Sequence, residues 1–399
     1  MRRPGARHPF ALWLAAATCS TLGDSVTFFA LGWAAAGHGA GAAGLVLTLE
    51  GVPLCLLILV GGVVADRVGI RRTMAGCDAA MAVAMAGFAL LARDGAPVAL
   101  LATLGVVSGT ASALRRPAEL VFPRLFADGE ELTRRTATTT MYLQLARIAG
   151  PAVAGLLLAL GGLGLTSTLD ALSFAAVLAA LLVVRPPHEP PAAEDGESAL
   201  ARLVAGLRAA RATPGAGATV LAVVLLASTV LPLVSMLVPL TARARGWSAH
   251  DAGIVTAAWV VGGIAVTAVV ARRGAPSAQL ALAGPPVAAA GAALLATAST
   301  VPVAFVAVLL VGVGTSLFTS RLIPAFFGAT PPALLARFSA LLGIAQTGPV
   351  LLVTPALAAT VTWWGVTPAA LALGVVLLAT AVPAAAAEAE VSPGTAAAR

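Results

Sequence analysis

Four charged residues lie inside long apolar runs of this sequence, and their types point to chemistry that moves protons. They are Asp24, Glu50, Arg147 and Asp170. If these runs cross a membrane, a charge near the bilayer centre costs roughly 2.5 to 3.5 kcal/mol on insertion scales, so each such residue is a functional candidate. A carboxyl group that moves between dry and wetted surroundings can bind and release a proton. We predict that Asp24 and Glu50 exchange protons with the two sides, and Asp170 is a third candidate.

Arg147 has three possible roles. It could hold a carboxylate in a fixed ion pair, which is the structural alternative for Asp24 and Glu50. It could instead meet an anionic substrate, or its long side chain could reach the inner membrane face.

Uncharged residues within the runs are candidates for the wall of a substrate cavity. Phe28 and Tyr142 lie in the first half of the chain, and Trp259 and Gln346 lie in the second. The three aromatic residues could equally be packing residues. A sugar would need hydrogen-bonding side chains on both walls, so one charged half and one apolar half favour a lipophilic or amphipathic substrate.

The composition is that of an integral membrane protein. Of 399 residues, 59% are hydrophobic and 10% are charged, and the mean hydropathy is +0.96. Soluble domains average about 45 to 50% apolar and about 25% charged residues. The net charge of +7 comes from arginines in short loops, whereas a nucleic-acid binder gathers basic residues on one soluble face. We expect no metal, no cofactor and no enzymatic activity, because the four histidines are isolated and no phosphate-binding or nucleophile motif occurs.

Twelve runs are long enough to cross about 30 Å of hydrocarbon as helices. The first continues past Asp24 to Trp33, so we interpret it as an uncleaved span rather than a signal peptide. Most arginines fall in alternate loops, including Arg115 and Arg116 after span four, and this bias predicts that both termini are cytoplasmic. The predicted spans are 10–35, 43–65, 73–92, 97–114, 137–161, 164–184, 218–241, 250–271, 278–298, 301–320, 337–361 and 365–384.

The two halves of the chain repeat one another. Gly109-Thr110 matches Gly314-Thr315, and Gly150-Pro151 matches Gly348-Pro349, at a spacing of roughly 200 residues, as expected of two homologous halves. The sequence therefore predicts an all-α polytopic protein with two pseudo-symmetric six-helix bundles. The bundles are residues 1–184 and 218–399, and a cytoplasmic linker with an amphipathic stretch, 185–217, joins them.

One motif between spans two and three resembles a known family. The segment GVVADRVGIRR, from Gly62 to Arg72, matches the G-x-x-x-D-R-x-G-x-R-R loop of the major facilitator superfamily at every specified position. The resemblance implies alternating-access transport, with the loop aspartate in a cytoplasmic charge network that holds the outward-open state. We expect Gly62 to permit close helix approach and Gly69 a tight turn. The gate residues implied are Gly62, Asp66, Arg67, Gly69, Arg71, Arg72 and, as a further partner, Asp78; for Arg71 and Arg72 the alternative is that they only set the topology.

Other stretches resemble the drug and siderophore exporter branch of that family, which includes enterobactin-exporter and macrolide-efflux proteins. They are STLGDSVTFFALGW in span one and LDALSFAAVLAALLVV in span six. Gly150 and Pro151 with Gly155 are similar to the antiporter motif of span five, whose glycines and proline bend the helix. The span-four motif R-x-x-Q-G of some proton antiporters is absent.

These observations predict a secondary exporter of the cytoplasmic membrane. It would exchange protons for a lipophilic or amphipathic small molecule, such as a drug, antibiotic or siderophore, and act as a monomer in multidrug resistance. The alternatives are a facilitator or importer of a metabolite, and a membrane partner protein that transports nothing. A partner protein has no need for Asp24 or Glu50 in hydrocarbon.

Overall fold

The computed structural model describes residues 7–92, 96–186, 215–329 and 335–391, and in these ranges the chain is helical and contains no strand. Each apolar run of the sequence becomes a helix because only hydrogen-bonded helices satisfy the backbone in hydrocarbon. The helices are α1 (Arg7–Ala36), α2 (Ala40–Val68), α3 (Ile70–Leu91), α4 (Val98–Val121), α5 (Gly129–Val183), α6 (Ala216–Pro232), α7 (Val238–Ala244), α8 (Ala249–Arg273), α9 (Ala278–Leu282), α10 (Gly284–Thr297), α11 (Val301–Ala329), α12 (Leu335–Thr347), α13 (Val350–Trp364), α14 (Val366–Ala379) and α15 (Ala381–Val391). A 3₁₀ turn, Phe122–Leu125, follows α4, and a π-helical segment, Leu233–Leu237, joins α6 to α7.

Eleven helical stretches of the described chain are long and apolar enough to cross a membrane. One of them, α5, contains two predicted spans, and its backbone leaves helical geometry at Gly161 and Gly162. Gly162 has a φ of 61°, a conformation that favours glycine. With α5 counted as two spans, these stretches account for all twelve predicted spans.

The chain forms two compact units. The first contains Met1–Asp195 together with Ser248–Gly253, and the second contains Gly196–Trp247 and Ile254–Arg399. The division at residue 195 falls inside the predicted linker. The amphipathic stretch predicted for that linker lies outside the described residues.

Close helix approaches in the first unit occur at glycines. A Cβ at Gly109 of α4 would collide with the carbonyl oxygen of Glu50 in α2, and one at Gly61 of α2 would collide with the carbonyl of Ala113 in α4. Pro117 has no N–H to donate to that Ala113 carbonyl, so the carbonyl is free to pack against Gly61. Small residues at such crossings let membrane helices pack backbone to backbone.

The prediction that Gly62 permits close helix approach is wrong, because the preceding residue, Gly61, makes the close contact. A Cβ at Gly62 would meet no described atom within 4 Å, whereas one at Gly61 would lie 2.9 Å from the Cα of Leu114. The turn predicted at Gly69 is confirmed: Gly69 is the single residue between α2 and α3, and its φ is 98°.

Aromatic side chains close one end of the first unit. Trp13 of α1 is fully buried, and its ring lies 4.6 Å from that of Phe122. Phe10 stacks edge-on against Phe126 at 5.5 Å, and the guanidinium of Arg135 lies 4.9 Å above the Phe10 ring. These contacts fasten the start of α1 to the end of α4.

The second unit repeats the glycine crossing with different side chains. A Cβ at Gly312 of α11 would collide with the carbonyl oxygen of Trp259 in α8. At the end of α11 near α15, Arg321 forms a two-pronged ion pair with Glu388 (2.7 and 3.0 Å) and donates to the Pro276 carbonyl at 3.1 Å.

Candidate functional site

A buried arginine is the centre of the largest charge cluster that the structure describes. Arg115 of α4 is 6% exposed. Its Nε lies 2.8 Å from Oδ1 of Asp78, its Nη2 lies 3.6 Å from Oε1 of Glu119, and its Nη1 lies 3.7 Å from Oδ2 of Asp24. Three helices supply the carboxylates: α1, α3 and α4.

Helix geometry explains how these groups meet. Arg115 and Glu119 are four residues apart and so lie on one face of α4. That face packs against α3, where Asp78 is completely buried, and against α1. The Asp24 side chain is 37% exposed, so it alone of the three carboxylates is both near Arg115 and open to the surroundings of the unit.

The cluster is incompletely hydrogen bonded. In the described part of the chain, neither carboxyl oxygen of Asp78 and neither Nε nor Nη2 of Arg115 has a partner with hydrogen-bond geometry, so these contacts are ionic only. One guanidinium contacts three carboxyl groups, and Arg116 and Arg147 are further cations that act on Asp24. Like charges in a dry site disfavour one another's ionised form, and a bound proton relieves that repulsion.

Arg115 and Arg116 were predicted in a loop after span four, and that loop position is wrong. The helix does not end at residue 114 but continues to Val121, with Pro117 inside it. Asp78 was predicted as a further partner of the loop motif, and the structure pairs it with Arg115. Two signals could have found the cluster: the spacing of Arg115 and Glu119, and the position of Asp78 inside predicted span three.

Glu50 lies at the tightest crossing of α2 and α4. Gly105 and Gly109 both pack against its backbone. Its Oε2 is buried and has no hydrogen-bond partner among the described residues. A carboxyl oxygen in that position is poorly suited to carry a permanent charge.

Asp170 lies in the second part of α5 and is 1% exposed. The Thr27 hydroxyl donates to its Oδ2 at 2.5 Å, and the Ser173 hydroxyl donates to its Oδ1 at 3.0 Å. Gly23 packs directly against this carboxyl group, which a Cβ there would strike. Asp170 therefore packs against Gly23, the residue that precedes Asp24 in α1.

The antiporter-like segment of α5 is joined to α1 beside Asp24. Pro151 cannot donate to the carbonyl of Arg147, and the Ser25 hydroxyl donates to that carbonyl instead, at 2.9 Å. Gly150 provides the room, because a Cβ there would collide with Ser25. Gly155 packs against the carbonyl of Ala249, in the segment 248–253 of the same unit.

The candidate cavity residues are distributed over both units. Phe28 is 42% exposed and Tyr142 is 44% exposed, which fits a cavity or surface position better than core packing. The Arg147 side chain is also exposed and donates to Gln144 at 3.4 Å. Trp259 is half-buried and Gln346 is exposed.

The loop motif is described in part. Arg67 and Arg72 are exposed, while Arg71 donates to the carbonyls of Leu181 and Leu182 at the end of α5. The Asp66 side chain lies outside what the structure describes.

Comparisons with known proteins agree with this architecture. A family model described as Major Facilitator Superfamily matches residues 13–354. Enterobactin exporter EntS of Shigella boydii serotype 18 and that of Escherichia coli O1:K1 are each 30% identical to the chain over 226 residues, which is 56% of this chain and 53% of the relative. The chain thus spans about half the length of the curated relatives it matches.

Solved structures show the same fold at low identity. The nucleoside transporter NupG has a TM-score of 0.75 and 13% identity, over 95% of this chain and 99% of that one. A bacterial homologue of the iron transporter ferroportin has a TM-score of 0.70 and 17% identity, over 94% and 98%. With the helical architecture and the loop motif, the family match leads to one conclusion: the chain belongs to the Major Facilitator Superfamily, as a multi-pass membrane transporter and not an enzyme.

Proposed function

We propose that this transporter exports a lipophilic or amphipathic small molecule across the cytoplasmic membrane in exchange for protons. The observation that carries the proposal is the Arg115 cluster, with its buried Asp78 and Glu119 and its partly exposed Asp24. Three acids contact the same guanidinium in a largely buried site, so the number of protons bound there can change as the unit changes its exposure. The sequence relationship to an enterobactin exporter favours export.

In this proposal Asp24 is the acid that exchanges protons with the surroundings. When it is ionised it attracts Arg115, and when it is protonated Arg115 keeps only Asp78 and Glu119. Glu50, where α2 crosses α4, is a second proton site. A substrate that binds near Asp24 would favour its ionised form if it carried a cationic or hydrogen-bond donor group, so proton release and substrate binding would occur together.

The remaining predicted residues have structural roles in the proposal. Asp66 and the loop arginines form the cytoplasmic gate, and the segment from Gly150 to Gly155 bends α5 beside the cavity. Phe28 and Tyr142 are the substrate-contacting candidates of the first unit, and Trp259 and Gln346 are those of the second.

The test uses inside-out membrane vesicles that are acidified inside and loaded with a pH-sensitive dye. A panel of lipophilic antibiotics, dyes and siderophores is added to wild type and to Asp24→Asn. We expect one or more compounds to release protons from wild-type vesicles and none to do so from the variant. Equal proton release by both proteins would disprove the role of Asp24, and release by neither would favour a facilitator.

A further inference from the structure

A small cavity lies beside the buried acid of α5. Its volume is about 10 Å³, and its lining residues include Thr27 and Ser167, which carry hydroxyls, and the apolar Phe88, Leu104 and Leu163. This is about the space that one water molecule needs, and two hydroxyls are enough polar partners to hold it.

The cavity lies toward the end of the first unit that is remote from the N-terminus. Phe88 is in the last turn of α3, Leu104 is in the second turn of α4, and Leu163 directly follows the break in α5 at Gly162. On α4 the Arg115 cluster lies toward the other end of the helix, since Glu119 is in its last turn.

Thr27 connects the cavity to Asp170. Thr27 lines the cavity, and its hydroxyl donates to Asp170 Oδ2 at 2.5 Å. The charged groups that act on Asp170 are Asp24 of α1 and Arg115 of α4. The direct contacts of its carboxyl oxygens in the described chain are hydroxyls, which can stabilise either the ionised or the neutral acid.

Gly23 connects Asp170 to Asp24. The absence of a side chain lets the Asp170 carboxyl lie against the α1 backbone, next to the residue that approaches Arg115 to 3.7 Å. Thr27 and Asp24 are one turn apart on α1, a rise of about 4.5 Å. The cavity, Asp170, Asp24 and Arg115 therefore follow one another along the first unit.

We propose that Asp170 is the proton-entry acid of the first unit. A proton that arrives through the cavity at Thr27 and Ser167 binds the Asp170 carboxylate. It then passes to the Asp24 carboxylate, and the Asp170 carboxylate is restored. The proposal rests on the proton coupling proposed above, and it gives the proton a route inside one unit that is separate from the substrate's route.

The test is infrared difference spectroscopy on the full-length protein in proteoliposomes, with a rapid drop in external pH. No substrate is needed. We expect a carboxylic-acid band that Asp170→Asn removes and that Thr27→Val shifts in frequency, because the hydrogen bond to Oδ2 is lost. Thr18→Val is the matched control, since the Thr18 hydroxyl donates only to Leu14 of its own helix; it should leave the band unchanged.

The rate at which this band appears tests the route. Thr27→Val and Ser167→Ala should slow it roughly tenfold or more, as expected when a proton-relay group is lost, and Thr18→Val should not. A spectrum of Asp170→Asn that equals wild type would overturn the proposal, as would unchanged rates in both cavity variants. Because the vesicle assay detects substrate-driven proton release, it can fail while this band persists, so the failures of the two proposals are distinguishable.

Discussion

At the scale of single residues, Arg115 links three acids that differ in their access to water. Asp78 is fully buried, Glu119 is 7% exposed, and the Asp24 side chain is 37% exposed. A buried charge needs a partner far more than an exposed one does. The same substitution, carboxylate to amide, should therefore affect stability at Asp78 and transport at Asp24.

Asp78→Asn should destabilise the protein by about 3 kcal/mol, because it removes the nearest partner of a buried guanidinium. The measurement is thermal unfolding in detergent. Glu131→Gln is the control: the pair of this 49% exposed carboxylate with Arg135 should contribute less than about 1 kcal/mol. Equal melting temperatures for Asp78→Asn and wild type would show that Glu119 and Asp24 suffice for Arg115.

Asp24→Asn should leave the melting temperature close to that of wild type but abolish proton-driven transport. The reason is that its 3.7 Å contact with Arg115 is longer than the 2.8 Å contact of Asp78 and is partly solvated. Transport is compared in proteoliposomes with and without a proton gradient. Substrate exchange without a gradient should persist in the variant. Loss of both this exchange and thermal stability would contradict the separation of transport from stability.

The sequence pointed to Asp24, Glu50 and Asp170 as acids within apolar runs, but not to Arg115 and Glu119, which join Asp24 in one cluster. An acid in an apolar run is visible in the sequence, as Asp24 and Asp170 were. Arg115 was not visible, because an arginine near the end of a span reads equally as a loop residue or as a helical one. Which of the two it is depends on α4 continuing through Pro117, and that depends on tertiary packing against α2.

At the scale of helices, prolines determine which carbonyls are available to neighbouring helices. Pro117 frees Ala113 for contact with Gly61, and Pro151 frees Arg147 for the hydroxyl of Ser25. In both places a proline and a small residue on the facing helix act together. The antiporter-like motif of α5 thus has a local explanation that does not depend on transport.

A double-mutant cycle tests the Ser25 contact. Ser25→Ala should cost roughly 1 kcal/mol in the wild-type background, because the Arg147 carbonyl loses its donor. In a Pro151→Ala background the new N–H can donate to that carbonyl, so the further cost of Ser25→Ala should be near zero. Additive effects on the melting temperature would mean that Ser25 acts through another contact.

The neighbouring glycines of α2 provide a matched pair. Gly61→Ala should destabilise the first unit by about 1 to 3 kcal/mol through overpacking against Ala113. Gly62→Ala meets no described atom within 4 Å and should leave the melting temperature unchanged. If Gly62→Ala alone impaired transport, its role would lie in the gate motif rather than in packing.

At the scale of the whole molecule, the two halves have the same kind of helix crossing but differ in the charge of the side chain placed there. Where α2 crosses α4 the first unit places Glu50, and where α8 crosses α11 the second unit places Trp259. The repeat predicted the shared architecture well, because motifs and span lengths survive in both halves. The repeat could not predict that one crossing carries an acid and the other an aromatic residue, since the fold does not determine the side chains at these positions.

The topology makes a prediction for the complete chain. We propose from the arginine bias that both termini are cytoplasmic, so an epitope tag at either end should resist protease in intact spheroplasts and be cleaved in inside-out vesicles. A tag placed at Gly37 between α1 and α2 serves as the control and should show the opposite pattern. Cleavage of either terminal tag in intact spheroplasts would contradict the topology.

The link between α2 and α3 is one residue long, and this has a consequence for how the gene can change. With Gly69 as the whole link, an extra residue cannot be absorbed in a longer loop. Each added residue of a helix turns the following side chains by about 100°. An inserted codon here would turn or displace α3, and Asp78 would no longer face Arg115. Insertions and deletions of even one codon here should therefore be removed by selection.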